Sequence, residues 1–146
     1  MAAATLSANR DVRRQDGKLV AHKMAASKTI YSGALVATAS GLAEAFTDAA
    51  GKTFAGIAAE KKVSAASGTY TVNVWKSGVF RVGWYDDDAI AQADVGTEVY
   101  GASDATVCPN ASGSGATKKV AQNIKVGVVV GLESGDALVR IDGYAK

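Results

Sequence analysis

The chain has 146 residues, the size of one domain or of one domain with a tail. Aliphatic and aromatic residues make up 48% of it and charged residues 21%, which is enough apolar material for a core and excludes disorder throughout. Aromatic residues contribute only 7%, so we expect a modest core that leaves part of the stability to partners. The formal net charge of +2 is too small to indicate a nucleic-acid surface.

The sequence carries no recognisable targeting or membrane segment. Residues 1–7 lack the basic start and the long apolar run of a secretory signal. No stretch approaches the roughly 20 apolar residues that are needed to cross a bilayer. We therefore expect a protein that is made in the cytoplasm and does not bind membranes.

Residues 1–28 differ in composition from the rest of the chain. Acidic residues interrupt the basic ones without a sustained period, which argues against a nucleic-acid arm. The basic residues are Arg10, Arg13, Arg14, Lys18, Lys23 and Lys28. We interpret residues 1–28 as an extended N-terminal arm that becomes ordered against a partner. An ordinary terminus with a short first strand at residues 18–21 explains the pattern equally well.

Residues 29–146 show the pattern of a single β-rich domain. The sequence has 16 Gly and only 1 Pro, and turn residues separate short apolar runs that are rich in β-branched side chains. We predict a short helical segment that begins after the aspartates at 86–88 and stops at Gly96, and loops at 63–68 and 111–117. The predicted strands are 34–38, 42–46, 54–59, 69–75, 79–82, 98–101, 106–108, 124–132 and 137–141.

The clearest strand signal lies at residues 69–75. Tyr70, Val72 and Val74 alternate there with Thr71, Asn73 and Trp75, which indicates a strand with one buried face. A short glycine-containing turn follows, and the extended pattern resumes at 79–82. The spacing predicts a hairpin between these two strands.

Two further hairpins are predicted, one at each end of the domain. Strands 34–38 and 42–46 flank a Ser-Gly turn, and strands 124–132 and 137–141 flank a turn at Gly135. Glycines at 127 and 131 would let the last long strand bend or bulge, as the closure of a small barrel requires.

Catalytic and metal-binding patterns are nearly absent. His22 is the single histidine and lies in the predicted arm, where nothing holds it against a nucleophile, so we expect a surface residue. Cys108 has no basic neighbour in sequence and is typical of a small buried apolar residue. The aspartates at 86–88 lack the spacing of a calcium loop, so we interpret them as a solvated acidic loop. We expect no enzyme activity, no cofactor and no metal site.

Several motifs, taken in their order along the chain, resemble the capsid decoration (head-stabilising, or cement) proteins of tailed phages. The step Lys76-Ser77-Gly78-Val79-Phe80-Arg81 after an alternating strand is similar to that of the lambda-type decoration proteins. The related cement proteins share a wider frame of five segments, which covers roughly residues 30–142. These segments are Gly-x-Leu-Val at 33–36, Gly-Ile-Ala at 56–58, Gly-Val-Phe-Arg at 78–81, Gln-Ala-Asp-Val-Gly-x-x-Val-Tyr at 92–100 and Lys-Val-Gly-x-Val-Val at 125–130.

The resemblance implies an all-β fold with one short helix, a β-tulip or a small β-barrel-like domain with an extended N-terminal arm. It implies a structural protein of the virion that binds the major capsid protein on the outer surface of the mature head. It also implies self-association, commonly as a homotrimer, with a dimer as the alternative. The structural residues of the motifs are Gly56, Lys76, Gly78, Phe80 and Gly96.

The arm is the part of the chain that we expect to contact the capsid. An extended arm can add a strand to a sheet edge on the shell, and basic side chains can anchor it. The residues chosen for this role are Leu6, Arg10, Arg13, Arg14 and Lys18. The alternative function is that of another phage structural module, such as a tail-tube or fibre-associated protein.

Overall fold

The structure is a computed structural model that describes residues 18–86, 89–109 and 120–146. Within these residues the secondary structure is almost entirely β, which confirms the predicted all-β class. The strands are β1 (Leu19–Lys23), β2 (Thr29–Ile30), β3 (Leu35–Ala39), β4 (Leu42–Ala45), β5 (Thr53–Ala58), β6 (Lys62–Val63), β7 (Thr71–Trp75), β8 (Val79–Trp84), β9 (Glu98–Gly101), β10 (Thr106–Cys108), β11 (Lys125–Glu133) and β12 (Asp136–Arg140).

The first seven strands form one unit, residues 18–76, which we call the first unit. Five of them make an antiparallel sheet in the order β1-β7-β5-β3-β4, and β2 pairs with β6 as a separate ribbon. The sheet curls until its two edges touch at a single parallel bridge between Met24 and Ala43. At this contact the Ala25 N–H donates to the Ala43 carbonyl at 2.9 Å.

The concave face of this sheet encloses the core of the first unit. Alternation along β7 puts Val72 and Val74 inside, as the sequence pattern predicts. Small side chains dominate the cluster, so the sheet can curl tightly around it. Its buried members are Met24, Ile30, Ala34, Val36, Ala43, Ala55, Ala58, Val72 and Val74.

The last five strands, from residues 77–146, close into a barrel that we call the second unit. Its strand order is β10-β8-β12-β11-β9, and β10 returns to β8 by a parallel pairing. Closure leaves no free strand edge in this barrel. Its core is rich in valine: Val82, Val99, Val107, Val126, Val129, Ala137, Val139 and Ile141.

The two units share one hydrophobic cluster. Phe46, Phe54 and other residues of the first unit are buried in the same cluster as the barrel residues. The Phe46 and Phe54 rings meet edge to face, with centroids 6.4 Å apart. A Cβ atom at Gly101 would lie 2.2 Å from the Phe46 ring, so the glycine makes room for this aromatic side chain.

The two terminal hairpins form as predicted. β3 and β4 pair across Ser40 and Gly41, and β11 and β12 pair across Ser134 and Gly135. All four turn residues have positive φ, which suits the twist of two-residue hairpin loops.

The glycines predicted to bend β11 lie at its irregularities. Register shifts occur between Lys125 and Gly127 and between Val129 and Gly131. At Gly127 a Cβ atom would lie 2.2 Å from the Arg140 carbonyl oxygen, so β12 can approach β11 there only because the side chain is absent.

The predicted hairpin between β7 and β8 is wrong. β7 pairs with β1 and β5 in the first unit, whereas β8 pairs with β12 and β10 in the barrel. The turn-like residues 76–78 instead carry the chain from one unit to the other. Local turn chemistry could not reveal this, because longer-range partners take the hydrogen-bonding edges of both strands.

The predicted helical segment is reduced to one 3₁₀ turn at Gln92–Asp94. Its start is capped by the Asp94 carboxylate, which accepts a hydrogen bond from the Ala91 N–H at 2.7 Å. Gly96 follows with a φ of 94° and donates its N–H to the Val129 carbonyl at 2.7 Å. The turn thus ends against β11 rather than extending as an α-helix.

The C-terminal part of the predicted arm belongs to the sheet. Residues 19–23 form β1, in agreement with the alternative interpretation of a short first strand. Ser64 then fixes the following segment, because its hydroxyl donates to the Ala25 carbonyl and accepts the Lys28 N–H at 2.9 Å. Residues 1–17 and the predicted loop at 111–117 lie outside the described residues.

Candidate partner-binding surface

The two residues considered for catalysis lie in different units, His22 on β1 and Cys108 on β10. His22 is half-buried on β1 rather than at the surface, and its Nε2 atom is buried with no hydrogen-bond partner among the described residues. Burial, and then the charge of Lys76, lower the pKa of His22 below its ordinary value. Cys108 is fully buried, as its sequence context indicates.

The described residues also offer no metal centre. No group of three or more His, Cys, Asp or Glu side chains within residues 18–86, 89–109 and 120–146 is placed to hold an ion. Asp86 is described, but its two acidic neighbours are not. No helix in the same part of the chain is long or apolar enough to cross a bilayer.

Of the residues chosen as capsid contacts, the structure describes one. Leu6, Arg10, Arg13 and Arg14 lie outside the described residues. Lys18 is exposed at the start of β1, and its carbonyl accepts the Lys76 N–H at 2.7 Å. This residue thus marks the point where the N-terminal segment meets the first unit.

Gly56 lies on β5 between β3 and β7, at a close approach of the backbone. Its φ is 141°, and the β3–β5 register shifts beside it. A Cβ atom there would lie 2.1 Å from the Trp75 carbonyl oxygen. The glycine therefore permits the bulge that lets β7 pack against β5.

Lys76 connects the first unit to the end of the chain. Its ammonium group donates to the Ala55 carbonyl and to the Lys146 carbonyl, both at 2.7 Å. Burial lowers the pKa of Lys76 from its ordinary value. The side chain thus serves the crossing between the units rather than an exposed charge patch.

Gly78 and Phe80 complete the crossing on the barrel side. The Gly78 N–H donates to the Asp142 carboxylate at 2.6 Å, and its carbonyl accepts the Ile141 N–H at 3.1 Å. Phe80 packs against the shared hydrophobic cluster. The motif residues Lys76, Gly78 and Phe80 therefore lie at the crossing between the two units, whereas Gly56 lies inside the first sheet.

An apolar row crosses the outer face of the first sheet. Cα pairing aligns Leu19 with Trp75, Trp75 with Ile57, and Ile57 with Leu35. The second unit covers one end of this row, where Leu35 and Ile57 are 1% and 3% exposed. At the other end Trp75 and Leu19 are 38% and 42% exposed. We call Leu19 and Trp75 the apolar step.

A second exposed apolar pair lies on the β2–β6 ribbon. Tyr31 and Val63 are 57% and 55% exposed. The Lys61 ammonium lies 5.1 Å from the centroid of the Tyr31 ring, within the range of a cation–π contact. Because the ribbon is short, this pair has little flat surface around it.

A cleft of about 440 Å³ separates β5 from the barrel near residue 144. The Tyr144 hydroxyl donates to Glu98 at 3.0 Å, which raises the pKa of Tyr144. The Lys125 ammonium lies 3.4 Å from the same carboxylate oxygen. These polar groups interact with one another, and the cleft is lined by residues of both units.

The charges are divided unequally between the units. Residues 18–76 carry seven lysines and three acidic side chains, whereas residues 77–146 carry six basic and nine acidic ones. The small net charge of the whole chain conceals this polarity. The apolar step therefore lies on the basic side of the molecule, beside Lys18 and Lys23.

Sequence reasoning did not single out Leu19 as a surface residue. The strict alternation of β7 already puts Trp75 on the face opposite the buried Val72 and Val74. That opposite face was the available signal. The pairing of β1 with β7, which brings Leu19 beside Trp75, had no local signal.

Comparisons with protein-family models, with characterised proteins and with solved structures each return no match.

Proposed function

We propose that this chain is a capsid decoration protein, which binds the outer surface of a mature phage head and stabilises the shell by bridging major capsid protein subunits. The support is the ordered run of motifs that resembles the decoration and cement proteins. In this proposal the protein acts in the virion, as a homotrimer or dimer, and performs no catalysis.

The single observation that carries the proposal is the structural use of those motifs. Lys76, Gly78 and Phe80 lie at the crossing between the two units, Gly56 lies at the β3–β5 register shift, and Gly127 lies at a register shift of β11. Each of these positions meets a backbone or packing requirement of the fold, which favours a common architecture as the origin of the resemblance.

The surface chemistry agrees with attachment to a large protein assembly. The apolar step and the basic charge of the first unit are both suited to a protein partner. A shell offers many identical sites, and simultaneous contacts to two or more subunits raise the avidity without additional chemistry. Binding of this kind requires no cofactor and no assembled catalytic group.

Co-sedimentation with capsid shells tests the proposal. The purified chain is mixed with expanded and with unexpanded shells of the phage whose genome encodes it, and the bound copies per shell are counted. Saturable binding to expanded shells alone is the expected result. The number of copies at saturation then distinguishes threefold sites from other positions.

The same experiment distinguishes the decoration function from the alternative function. A tail-tube or fibre-associated module would form rings or filaments by itself and would bind neither shell form. Absence of binding to both forms, together with such self-assembly in electron micrographs, would overturn the decoration proposal.

A truncation that tests the predicted role of the arm must leave β1 in place. Removal of residues 5–28 would delete β1, and hence one strand of the sheet. Removal of residues 1–17 leaves every described strand intact. We expect this variant to keep the unfolding free energy of the full chain and to lose shell binding, and unchanged binding would contradict a role for the arm.

A further inference from the structure

The two units present surfaces of unlike charge. Lysines outnumber acidic residues in the first unit, whereas acidic residues outnumber basic ones in the second. The three acidic side chains of the first unit have partners within the chain: Glu44 pairs with lysines, and Asp48 and Glu60 accept backbone N–H groups. The first unit thus carries a net positive charge, and its carboxylates are already bound.

The apolar step shares the outer face of the first sheet with one lysine. Leu19, Ala21 and Lys23 are exposed and alternate with half-buried residues along β1, so all three project from one face. Trp75 lies beside Leu19 on that face. Leu19 and Lys23 are four positions apart, which corresponds to roughly 13 Å along a strand. This face therefore offers apolar contact at one end and a cation at the other.

The barrel has an exposed apolar surface of its own on β11 and β12. Val130 lies at the register shift between Val129 and Gly131 and is 39% exposed. Leu138 is half-buried on β12, opposite Gly131. Its Cδ1 atom lies 3.3 Å from the position that a Cβ atom of Gly131 would take, so the side chain leans towards β11. Val130 and Leu138 thus lie on neighbouring strands at this register shift.

Two carboxylates lie on one side of this apolar pair. Arg81 on β8 is opposite Leu138 in the β8–β12 register. Its Nε atom donates to the Asp136 carboxylate at 2.7 Å, and its Nη1 atom lies 3.9 Å from a Glu133 carboxylate oxygen. The single guanidinium is therefore shared between two acidic side chains.

A third carboxylate lies on the other side of β11. The Gly96 N–H donates to the Val129 carbonyl at 2.7 Å, which holds the 3₁₀ turn that contains Asp94 beside this strand. We call the whole set the barrel patch, which carries three carboxylates and one guanidinium. Its members are Val130, Leu138, Arg81, Asp94, Glu133 and Asp136.

We propose that the apolar step and Lys23 of one copy bind the barrel patch of the next copy in a head-to-tail contact. Val130 and Glu133 are three positions apart, roughly 10 Å along a strand, so apolar groups can meet while Lys23 meets Glu133. Repeated about a rotation axis, this contact closes a ring, as a homotrimer requires. The inference rests on the proposed function, whose self-association it assigns to two defined surfaces.

Charge disfavours contacts between like surfaces. Two apolar steps placed face to face would bring two basic first units together, and two barrel patches would bring carboxylates together. The contact between unlike surfaces instead places positive against negative charge. A capsid subunit is the other candidate occupant of the apolar step, and charge-reversed variants distinguish it from a second copy.

Sedimentation equilibrium of the purified full-length chain gives the first test. At low ionic strength the chain should form trimers, and these should dissociate as the salt concentration rises, because salt screens the charges of the contact. A chain that stays monomeric at low ionic strength would overturn the proposal. Self-association that does not depend on salt would also contradict it.

Charge reversal on each surface gives the second test. Lys23→Glu and Glu133→Lys should each weaken self-association by about tenfold, because each places like charges against each other. The double variant Lys23→Glu/Glu133→Lys should associate as the wild type does, because every contact again joins unlike charges. Lys62→Glu is the matched control, since it changes the net charge equally but lies on the β2–β6 ribbon. It should associate nearly as the wild type does.

Two results of this cycle would overturn the proposal. One is wild-type association of Glu133→Lys, and the other is a double variant that associates as weakly as the single ones. Urea denaturation of each variant verifies that the fold is retained.

Leu19→Ser tests the apolar part of the contact. It should weaken self-association by about tenfold and leave the salt dependence unchanged, because no charge is altered. Wild-type association of this variant would contradict the assignment of the apolar step to the contact.

Shell binding separates this inference from the decoration function. Failure of the wild type to bind expanded shells, with self-association as described, rejects the decoration function alone. Shell binding by a wild type that does not self-associate rejects the inference alone. Single variants that self-associate as the wild type does but lose shell binding would overturn the inference and identify the capsid subunit as the occupant of the apolar step.

Discussion

The two units of this molecule differ in how completely each β-sheet closes around its core. Each curls a small β-sheet around an apolar core, but the second unit closes completely, whereas the two edges of the first sheet meet at the Met24–Ala43 bridge. Full closure removes the free edges that would otherwise pair with other chains. The first unit consists of a five-stranded sheet and a separate β2–β6 ribbon that are not closed into a barrel, and it carries the apolar step and a basic surface.

This difference indicates a division of roles. The acidic, closed barrel has a dense valine core and covers one end of the apolar row. The basic first unit leaves the other end of that row exposed. We infer that the second unit acts as the rigid support and that the first unit carries the apolar step as a contact surface.

The largest expected effect comes from Gly56, where the first unit depends on a close backbone approach. Gly56→Ala should lower the unfolding free energy by about 3 kcal/mol or more, because the new Cβ meets the Trp75 carbonyl and the φ is strained. Urea denaturation measures the loss.

Gly51→Ala is the matched control for that variant. Gly51 also has a positive φ, of 79°, but a Cβ atom there would meet nothing within 4 Å. Gly51→Ala should lower the unfolding free energy by only about 1 kcal/mol. Equal losses for the two variants would mean that the close approach at Gly56 does not limit the fold.

Phe46 tests whether the two units unfold together. Phe46→Ala should remove about 3 to 5 kcal/mol, because the ring is buried in the cluster that the units share. Since the cavity opens at the junction, we expect the single denaturation transition of the wild type to split into two. Phe46→Leu, which keeps most of the volume, should retain one transition. A single transition in the alanine variant would argue against the junction as the link between the units.

Ser64 tests the hydrogen bonds that fix the segment between β1 and the β2–β6 ribbon. Ser64→Ala should cost about 1 to 2 kcal/mol, because the Lys28 N–H and the Ala25 carbonyl both lose a partner. Ser64→Thr keeps the hydroxyl and serves as the control. A loss in the threonine variant as large as that in the alanine variant would show that packing, not hydrogen bonding, sets the effect.

The smallest effect is a pH dependence that belongs to the first unit. The pKa of His22 is lowered in the folded state, so the unfolded chain binds its proton more readily. The stabilisation is full above the ordinary histidine pKa of about 6.5 and is lost as the pH falls from there towards the folded pKa. His22→Gln should have a flatter stability profile between pH 7.5 and 5. An identical slope in both proteins would exclude His22 as the cause.

The sequence predicted the local elements well and their pairing less well. Alternation at Tyr70, Val72 and Val74, and the glycines at 127 and 131, reflect local backbone and burial requirements, and the structure confirms both. The β7–β8 hairpin failed because distant strands compete for the same edges. Nothing in local sequence distinguishes a turn from a crossing at residues 76–78.

The candidate surface shows the same limit. Trp75 could be assigned to the outer face from alternation alone, but its neighbour Leu19 is 56 positions earlier in the chain. The pairing of β1 with β7 becomes visible only in the structure, where hydrogen bonds at Lys18 and Met24 flank the strand. Long-range pairing therefore defines the surface on which the proposals depend.

Thermal disruption of capsid shells tests the central claim most directly. Expanded shells are heated with and without saturating amounts of the chain, and the temperature at which they open is recorded by calorimetry. We predict a higher opening temperature in the presence of the chain, proportional to the occupied sites, and no change for unexpanded shells. An unchanged opening temperature at full occupancy would contradict a stabilising role.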